Sequence, residues 1–297
     1  MKFPSHAHVI VIPAHNRREI TLAALAGLAA DDVFAWATIL IMDDGSTDGT
    51  SEAVARSHPA AAILRGDGSW WWGGAIRRGM EWALRHGAQS IYWLNDDCRP
   101  PPGGLAALRD FSARDNRVAW IEARAPGGWS YGGYLRTAWG LRRCRPDEEA
   151  QGNVETFSGN CVCLPRGWIE RVGLPHDSQF PHGLADLDYG LRLHASGAEL
   201  KALPGVIAEN ANPARSAEES WLGSSRRMRD IWRDFDSPRS FLHFPAWRRF
   251  ALRHWGLAWG WVVFALPYVR WFLIAVVRGV APGAARSVAA RRRAGAD

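Results

Sequence analysis

Carboxylates recur in this chain directly after short apolar runs. Ile39-Leu40-Ile41-Met42 leads into Asp43-Asp44-Gly45-Ser46, and Ile91-Tyr92-Trp93-Leu94 leads into Asn95-Asp96-Asp97. A third acidic cluster, Ala185-Asp186-Leu187-Asp188, lies further along. Apolar runs rich in β-formers read as buried strands, and an acid at the end of each is delivered to one edge of a sheet. Three such deliveries would build a site for a metal, a diphosphate and a hydroxyl. Hard cations such as Mg2+ or Mn2+ are held by one or two carboxylates plus substrate phosphates. Adjacent acids are costly unless a cation or donors neutralise them, so Asn95-Asp96-Asp97 suits that role, with a solvated strand terminus as the plainer alternative. Asp44 stands where open α/β sheets bind ligands and can accept from a base N–H or a ribose hydroxyl; the same DDGST stretch is also good turn chemistry. Asp186 and Asp188 at a helix start point in different directions, so only one can face a site. Asp186 is the better general base for an attacking hydroxyl; an acidic first turn complementing the helix dipole is the alternative. His182 could contact a ligand or an acceptor, but reads first as a surface histidine.

These acids need a scaffold. Strands are expected over residues 9–12, 38–42, 61–64 and 90–94, with helices over 17–28, from 46–48 to about 56, and over 75–86. Pro100-Pro101-Pro102 delays the next helix until near Gly103. This alternation predicts a parallel, doubly wound sheet. Residues 117–123 and 154–164 read as β, 127–133 as loop and 184–195 as helix, so the second half is expected to be mixed. Trp70-Trp71-Trp72, in a Gly-rich loop, either line a sugar pocket or close the sheet. There is neither a GxGxxG after the first strand nor a P-loop Lys, which disfavours a Rossmann dehydrogenase or P-loop NTPase.

Of 297 residues, 47% are hydrophobic and 22% charged, which fits a folded protein. The net charge of +6 is uneven, since residues 223–297 hold 14 Arg against 4 Asp. An acidic catalytic body (1–222) with a basic, Trp-rich helical C-terminal region (223–297) is therefore expected. Residues 225–235 read as a basic helix. Residues 255–277 are mostly apolar, interrupted by Arg270 and Pro267; a helix pair lying at a membrane interface is favoured over a true span or a buried or oligomer-forming helix. Arg291-Arg292-Arg293 could touch anionic lipid. The four cysteines form no CxxC pair and read as free thiols in a reducing cytosol. The single short apolar run at residues 9–12 argues against a signal peptide.

Taken in order, these motifs resemble the family 2 glycosyltransferases with the GT-A fold, and rhamnosyltransferase-like members in particular. Val9-Ile10-Val11-Ile12-Pro13-Ala14-His15-Asn16-Arg17 looks like the family's opening strand and donor-binding turn, and Met42 to Thr50 like its nucleotide-binding segment. Trp71 to Gly79 resembles the helix start that follows, with Arg77 where the family usually has Asn. Asn95-Asp96-Asp97 stands at the DxD position, Phe157-Ser158-Gly159-Asn160 at the acceptor-side segment, and Ala185 to Arg192 at ED-x-D-x-x-x-R, with Ala185 replacing the Glu. The resemblance implies a GT-A-type, Rossmann-like mixed sheet flanked by helices, followed by a helical membrane-associating appendage. It implies Asp186 as catalytic base and Asp97 as ligand to Mg2+ or Mn2+. Pro13, Ala14, Asn16, Asp44, Gly74, Arg77, Asn95 and Asp96 would bind the donor, and Gly159, Asn160 and Asp188 would lie on the acceptor side. The partners implied are a nucleotide-diphosphate sugar, a glycan or lipid-linked acceptor in cell-envelope polysaccharide synthesis, and the inner face of the cytoplasmic membrane. No nucleic acid is called for, and oligomers could form through the C-terminal helices. A sugar nucleotidyltransferase, or a non-catalytic nucleotide-sugar-binding scaffold, is the alternative.

Overall fold

Aliphatic side chains cover both faces of the central strands, and this fixes a sheet sandwiched by helices. The computed structural model describes residues 6–125, 128–144, 148, 152–210, 232–233 and 235–280. In order these form β1 (His8–Ala14), α1 (Arg18–Ala30), β2 (Ala37–Asp43), α2 (Thr50–Ser57), β3 (Ala62–Arg65), α3 (Trp71–Arg85), β4 (Ser90–Leu94) and β5 (Cys98–Arg99). Next come α4 (Gly104–Arg114), β6 (Val118–Ala125), β7 (Gly128–Tyr131), β8 (Gly133–Thr137), β9 (Gly140–Arg143), β10 (Thr156–Phe157) and β11 (Cys161–Pro165). The described chain closes with α5 (Arg166–Val172), α6 (Ala185–Ala195), β12 (Leu200–Asn210), α7 (Phe244–Trp255) and α8 (Leu257–Val280).

Among the described residues the main sheet has nine strands in the order β3-β2-β1-β4-β11-β6-β12-β5, with β7 beside β6. Strands β3, β2, β1 and β4 are parallel, whereas β11 runs antiparallel to both β4 and β6. The sheet is thus parallel in its first half and mixed in its second, as expected. Ala14 is level with Asp43, and Leu94 with Cys161. That register brings the carboxyl ends of β1, β2 and β4 to one edge. A small antiparallel sheet, β10-β8-β9, stands apart.

Alternation sorts the core. Val9, Val11 and Trp93 face α3 and α6, while Ile10, Ile12 and Tyr92 face α1 and α4. A third core joins the C-terminal region to the rest: Phe180, Leu184, Leu187 and Leu191 pack with Trp247, Phe250, Val263 and Phe264. The helix pair expected within residues 255–277 is instead the single helix α8, which continues through Pro267; the break falls earlier, at Gly256 (φ +75°), between α7 and α8. At Gly260 an added Cβ would lie 2.7 Å from the Ala251 carbonyl, so the pair approaches closely only because that residue is glycine.

Three local expectations change. Helix α3 begins at Trp71 instead of Ala75, absorbing the Gly-rich stretch into its first turn. Residues 128–131 form β7 where loop was expected, because β6 offers an edge to pair with. The single strand expected over 154–164 is two short strands interrupted at Ser158-Gly159-Asn160. The expected helix at 225–235 lies largely, and Arg291–Arg293 entirely, outside the described residues.

Candidate active site

A cleft of about 690 Å³ opens at the carboxyl edge of β1, β2 and β4. Its lining includes Pro13, Ala14, Asn16, Asp44, Asn95, Asp96 and Asp97. The sheet register gathers these residues from three segments that are distant in sequence. Asp44 is 5% exposed and ties the edge together: Gly68 N–H donates to Oδ1 (2.9 Å) and Trp71 N–H to Oδ2 (2.8 Å). Gly45 (φ +70°) lies so close that an added Cβ would be 2.6 Å from the Gly68 nitrogen. The Asn16 side chain accepts from Thr47 N–H (2.8 Å), while its backbone N–H donates to Ser46 Oγ (2.8 Å). Asn16 (φ +52°), Trp71 (φ +55°) and Leu184 (φ +70°) are non-glycine residues in the left-handed region. For a bulky residue that conformation is strained, and such strain clusters at functional sites.

Asp96 and Asp97 share one cation. Arg17 Nη1 is 3.1 Å from Asp96, and Nη2 is 3.0 Å from Asp97. Thr21 Oγ1 also donates to Asp96 (3.1 Å). Burial pushes the Asp96 carboxyl up to about 6, with Arg17 opposing the shift. Asn95 accepts from Trp72 Nε1 (2.8 Å) and donates to Asn160 (3.1 Å), linking the β4 edge to the interruption before β11.

Asp186 borders the cleft instead of lining it. Its Oδ2 accepts from Gly159 N–H (2.8 Å) and its Oδ1 from Leu187 N–H (2.8 Å). Gly159 is wedged between the Trp72 ring and Asp186; an added Cβ would meet them at 2.6 and 3.0 Å. Burial raises the Asp186 carboxyl above its ordinary value, against the pull of those two N–H groups. Tyr131, in the cleft wall, is pushed up to about 12 by burial, with the charges of Asp97 and Asp186 both adding to the shift.

Other expected site residues stand elsewhere. Gly74 and Arg77 are not in the cleft lining. Because α3 starts early, Arg77 falls on its second turn, where the guanidinium pairs with Glu81 (3.1 Å) and donates to the Pro175 carbonyl (3.0 Å). Gly74 packs beneath Arg78, whose Nη1 lies 2.9 Å from where a Cβ would be. Asp188 diverges from Asp186, as the helix geometry requires, and is fully buried among Arg192, Arg253 and His254.

Several lining residues were not singled out from sequence. Arg17 carries no motif of its own role, Tyr131 lies in what read as loop, and Arg239 belongs to the tail. His182 is half-buried in the cleft wall instead of on the surface; burial, then Arg239, holds it down to about 4, so it is neutral. Of the tryptophan triplet, Trp71 and Trp72 line the cleft, while Trp70 packs on the core.

The family model for glycosyl transferase family 2 matches residues 9–173, more than half of the chain. An N-acetylglucosaminyl-diphospho-decaprenol L-rhamnosyltransferase of Mycobacterium tuberculosis is 26% identical over 193 residues. That alignment covers 54% of this chain and 62% of the relative, so the chain spans under two thirds of the relative's length. Among solved structures, GalNAc-T7 with UDP, GalNAc and Mn2+ superposes with a TM-score of 0.56 at 15% identity, covering 82% of this chain and 50% of that one. The mannosyltransferase PcManGT from Pyrobaculum calidifontis, with GDP-Man and Mn2+, gives 0.53 at 18% identity, covering 97% and 86%. S. aureus TarS 1–349 gives 0.53 at 13%, covering 84% and 72%. At such identities the likeness is one of fold, and that fold is GT-A. With the sequence match extending from β1 to the end of α5, the chain belongs to glycosyl transferase family 2.

Proposed function

We propose that this chain is an inverting, metal-dependent glycosyltransferase that moves a sugar from a nucleotide-diphosphate donor to a hydroxyl of a lipid-linked glycan. The observation that supports this reading is the cleft at the carboxyl edge of β1, β2 and β4, which gathers Pro13, Asn16, Asp44 and Asp97, with Asp186 beside it on the Gly159 N–H, where Gly159 packs on the Trp72 ring of the lining. Asp44, Asn16 and Pro13 would hold the nucleoside, and Trp72 would offer the sugar a face to stack on. Asp186 would take the acceptor proton as the hydroxyl oxygen bonds to the anomeric carbon and the bond to the diphosphate breaks. One displacement of this kind inverts the centre.

The donor set suits a divalent cation. The lining holds Asp44, Asp96 and Asp97 against Arg17 and Arg239, with Arg17 already paired to Asp96 and Asp97 and His182 neutral, so its carboxylates outnumber its cations and would repel a diphosphate. All of these acidic ligands are hard oxygens. Asp97, with Asp96 beside it, would hold Mg2+ or Mn2+, which supplies charge neutralisation for the leaving diphosphate. Replacing Asp97 with Ala is expected to weaken Mn2+-dependent nucleotide binding by more than about tenfold, roughly 1.4 kcal/mol. Unchanged binding in a metal titration would contradict this role.

Membrane attachment at the cytoplasmic face fits α8. Leu257–Arg278 is long and apolar enough to cross a membrane, and most of it is not buried against the rest of the protein. Truncation before residue 223 would also strip Arg253 and His254 from Asp188, so substitutions on the outer face of α8 are the cleaner probe. Leu273→Glu with Val277→Glu is expected to release the protein from anionic liposomes in sedimentation, since burying each parent side chain is worth about 1.5–3 kcal/mol. Equal sedimentation of parent and variant would contradict attachment through this face. The overall reading is tested by incubating purified protein with a panel of nucleotide sugars and polyprenyl-linked acceptors. Product with one donor supports it, and inertness across the panel with intact nucleotide binding favours a non-catalytic binder.

A further inference from the structure

A second cavity, of about 710 Å³, lies between α8, the start of α7 and the residues Trp232, Phe235 and Asp236. That volume suits a small-molecule site. Its walls are Trp232, Phe235, Phe244, Phe264, Tyr268 and Trp271, and among the described residues lining it Asp236 is the one that carries a charge. Ring contacts brace the walls: Phe235 to Tyr268 at 5.3 Å, Phe235 to Trp271 at 5.5 Å and Phe244 to Phe264 at 5.0 Å. Tyr268 turns its hydroxyl to the Leu242 carbonyl (2.8 Å), leaving its ring to the cavity. At the mouth, Val269 and Phe272 are 52% and 60% exposed and continue into the apolar face of α8.

The segment that walls this cavity also walls the cleft. Phe235 and Phe244 face the cavity, while Arg239 between them lines the cleft and lies 5.5 Å over the Trp71 ring. Pro238 accepts from Gly183 N–H (3.2 Å), which fastens this segment to the turn leading into Asp186. An apolar chamber open to a membrane-length helix on one side, and sharing its wall with a cationic residue of the cleft on the other, matches an amphiphile with a hydrocarbon tail and an anionic head.

We propose that this cavity binds the hydrocarbon chain of the lipid-linked acceptor, with its anionic head turned across residues 236–243 toward Arg239 and Asp186. The inference rests on the acceptor class proposed above and assigns it a second, tail-binding site. The test is photolabelling of the full chain with a benzophenone-tagged farnesyl diphosphate, followed by peptide mass spectrometry. Adducts are expected on Phe235, Tyr268, Trp271 or Phe272, displaced by unlabelled farnesyl diphosphate. Ala265→Trp, which fills the cavity, is expected to cut that labelling by about tenfold. Ala265→Leu gives a smaller loss and keeps the result readable if the larger side chain unfolds the protein. Adducts confined to the outer face of α8 (Leu257, Trp261, Leu273, Val277), adducts on residues outside the described chain, labelling insensitive to both variants, or no labelling would each overturn the proposal. Labelling requires no sugar transfer, so failure of this site and failure of the transferase reading give different results.

Discussion

Replacing Asp186 with Asn is expected to reduce sugar transfer by about 10²- to 10⁴-fold, the usual worth of a general base, while nucleotide affinity changes by less than about twofold, below roughly 0.4 kcal/mol. The asymmetry follows from placement. Asp186 accepts from the Gly159 and Leu187 N–H groups, whereas the cleft lining that would take the nucleoside and diphosphate includes Pro13, Asn16, Asp44 and Asp97. Asn keeps the shape but turns one acceptor into a donor, so either the Gly159 or the Leu187 N–H loses its partner. That costs about 1–3 kcal/mol, and thermal unfolding should be recorded beside the kinetics. The pH profile gives an independent check. Burial raises the Asp186 carboxyl, and only its ionised form can take a proton. The value of kcat/KM should therefore rise with pH along an acid limb that sits above the ordinary carboxylate range. The same raised value gives a stability contribution that is present below the unfolded pKa and lost as pH rises through the folded one. An Asp186→Asn variant with parental turnover, or one whose residual activity keeps the acid limb, would remove Asp186 from the role of base.

Much of the site was legible because strand ends are legible. The runs at 9–12, 38–42 and 90–94 are apolar throughout, and once they are parallel neighbours Pro13, Asp44 and Asn95 must meet at one edge. Periodicity also separated Asp186 from Asp188. It could not say what each would meet, because their partners come from loops and from the tail. Arg17 counterbalances Asp96 and Asp97 across 80 residues, and Arg239 reaches the cleft from a region that looked like an appendage. The resemblance places Arg77 on the donor side, but α3 starts early and sets its guanidinium on Glu81 and the Pro175 carbonyl. The pair Gly73-Gly74 reads as loop, yet both glycines are helical, and Gly73 is there for close packing: its Cβ would lie 2.5 Å from the Phe180 carbonyl. Tertiary contact decided that segment over propensity.

The buried half of the acidic pair, expected on the acceptor side, carries the second large expectation. Asp188→Ala should destabilise the protein by about 3–5 kcal/mol, the cost of breaking a buried ion pair from one side. Asp188 is fully buried, and Arg253 Nη1 (2.8 Å) and His254 Nε2 (2.9 Å) hold its Oδ1. Arg192 Nε stands 3.2 Å from Oδ2. Burial alone would push this carboxyl up, but the His254 and Arg253 hydrogen bonds together with the charges of Arg253 and Arg192 outweigh it and hold the group below its ordinary value. Its contribution to stability is therefore present above the unfolded pKa and lost as pH falls through the folded one. Removing the carboxylate leaves two guanidinium groups facing each other across the junction of α6 and α7. For a chain of this size the unfolding midpoint should drop by about 6–20 °C. Because Asp186 sits two residues earlier on the same helix, loss of kcat is expected with little change in nucleotide affinity, even for a water-soluble acceptor that needs no membrane. A cycle with Arg253→Ala separates this from simple cavity formation. If Asp188 and Arg253 act as a pair, the double variant is less damaged than the sum of the single variants, because the second substitution removes a charge that the first left stranded. Additive losses, or an Asp188→Ala protein with the parental midpoint, would mean that α7 is held to α6 by the Phe180, Leu187, Trp247 and Phe250 core alone.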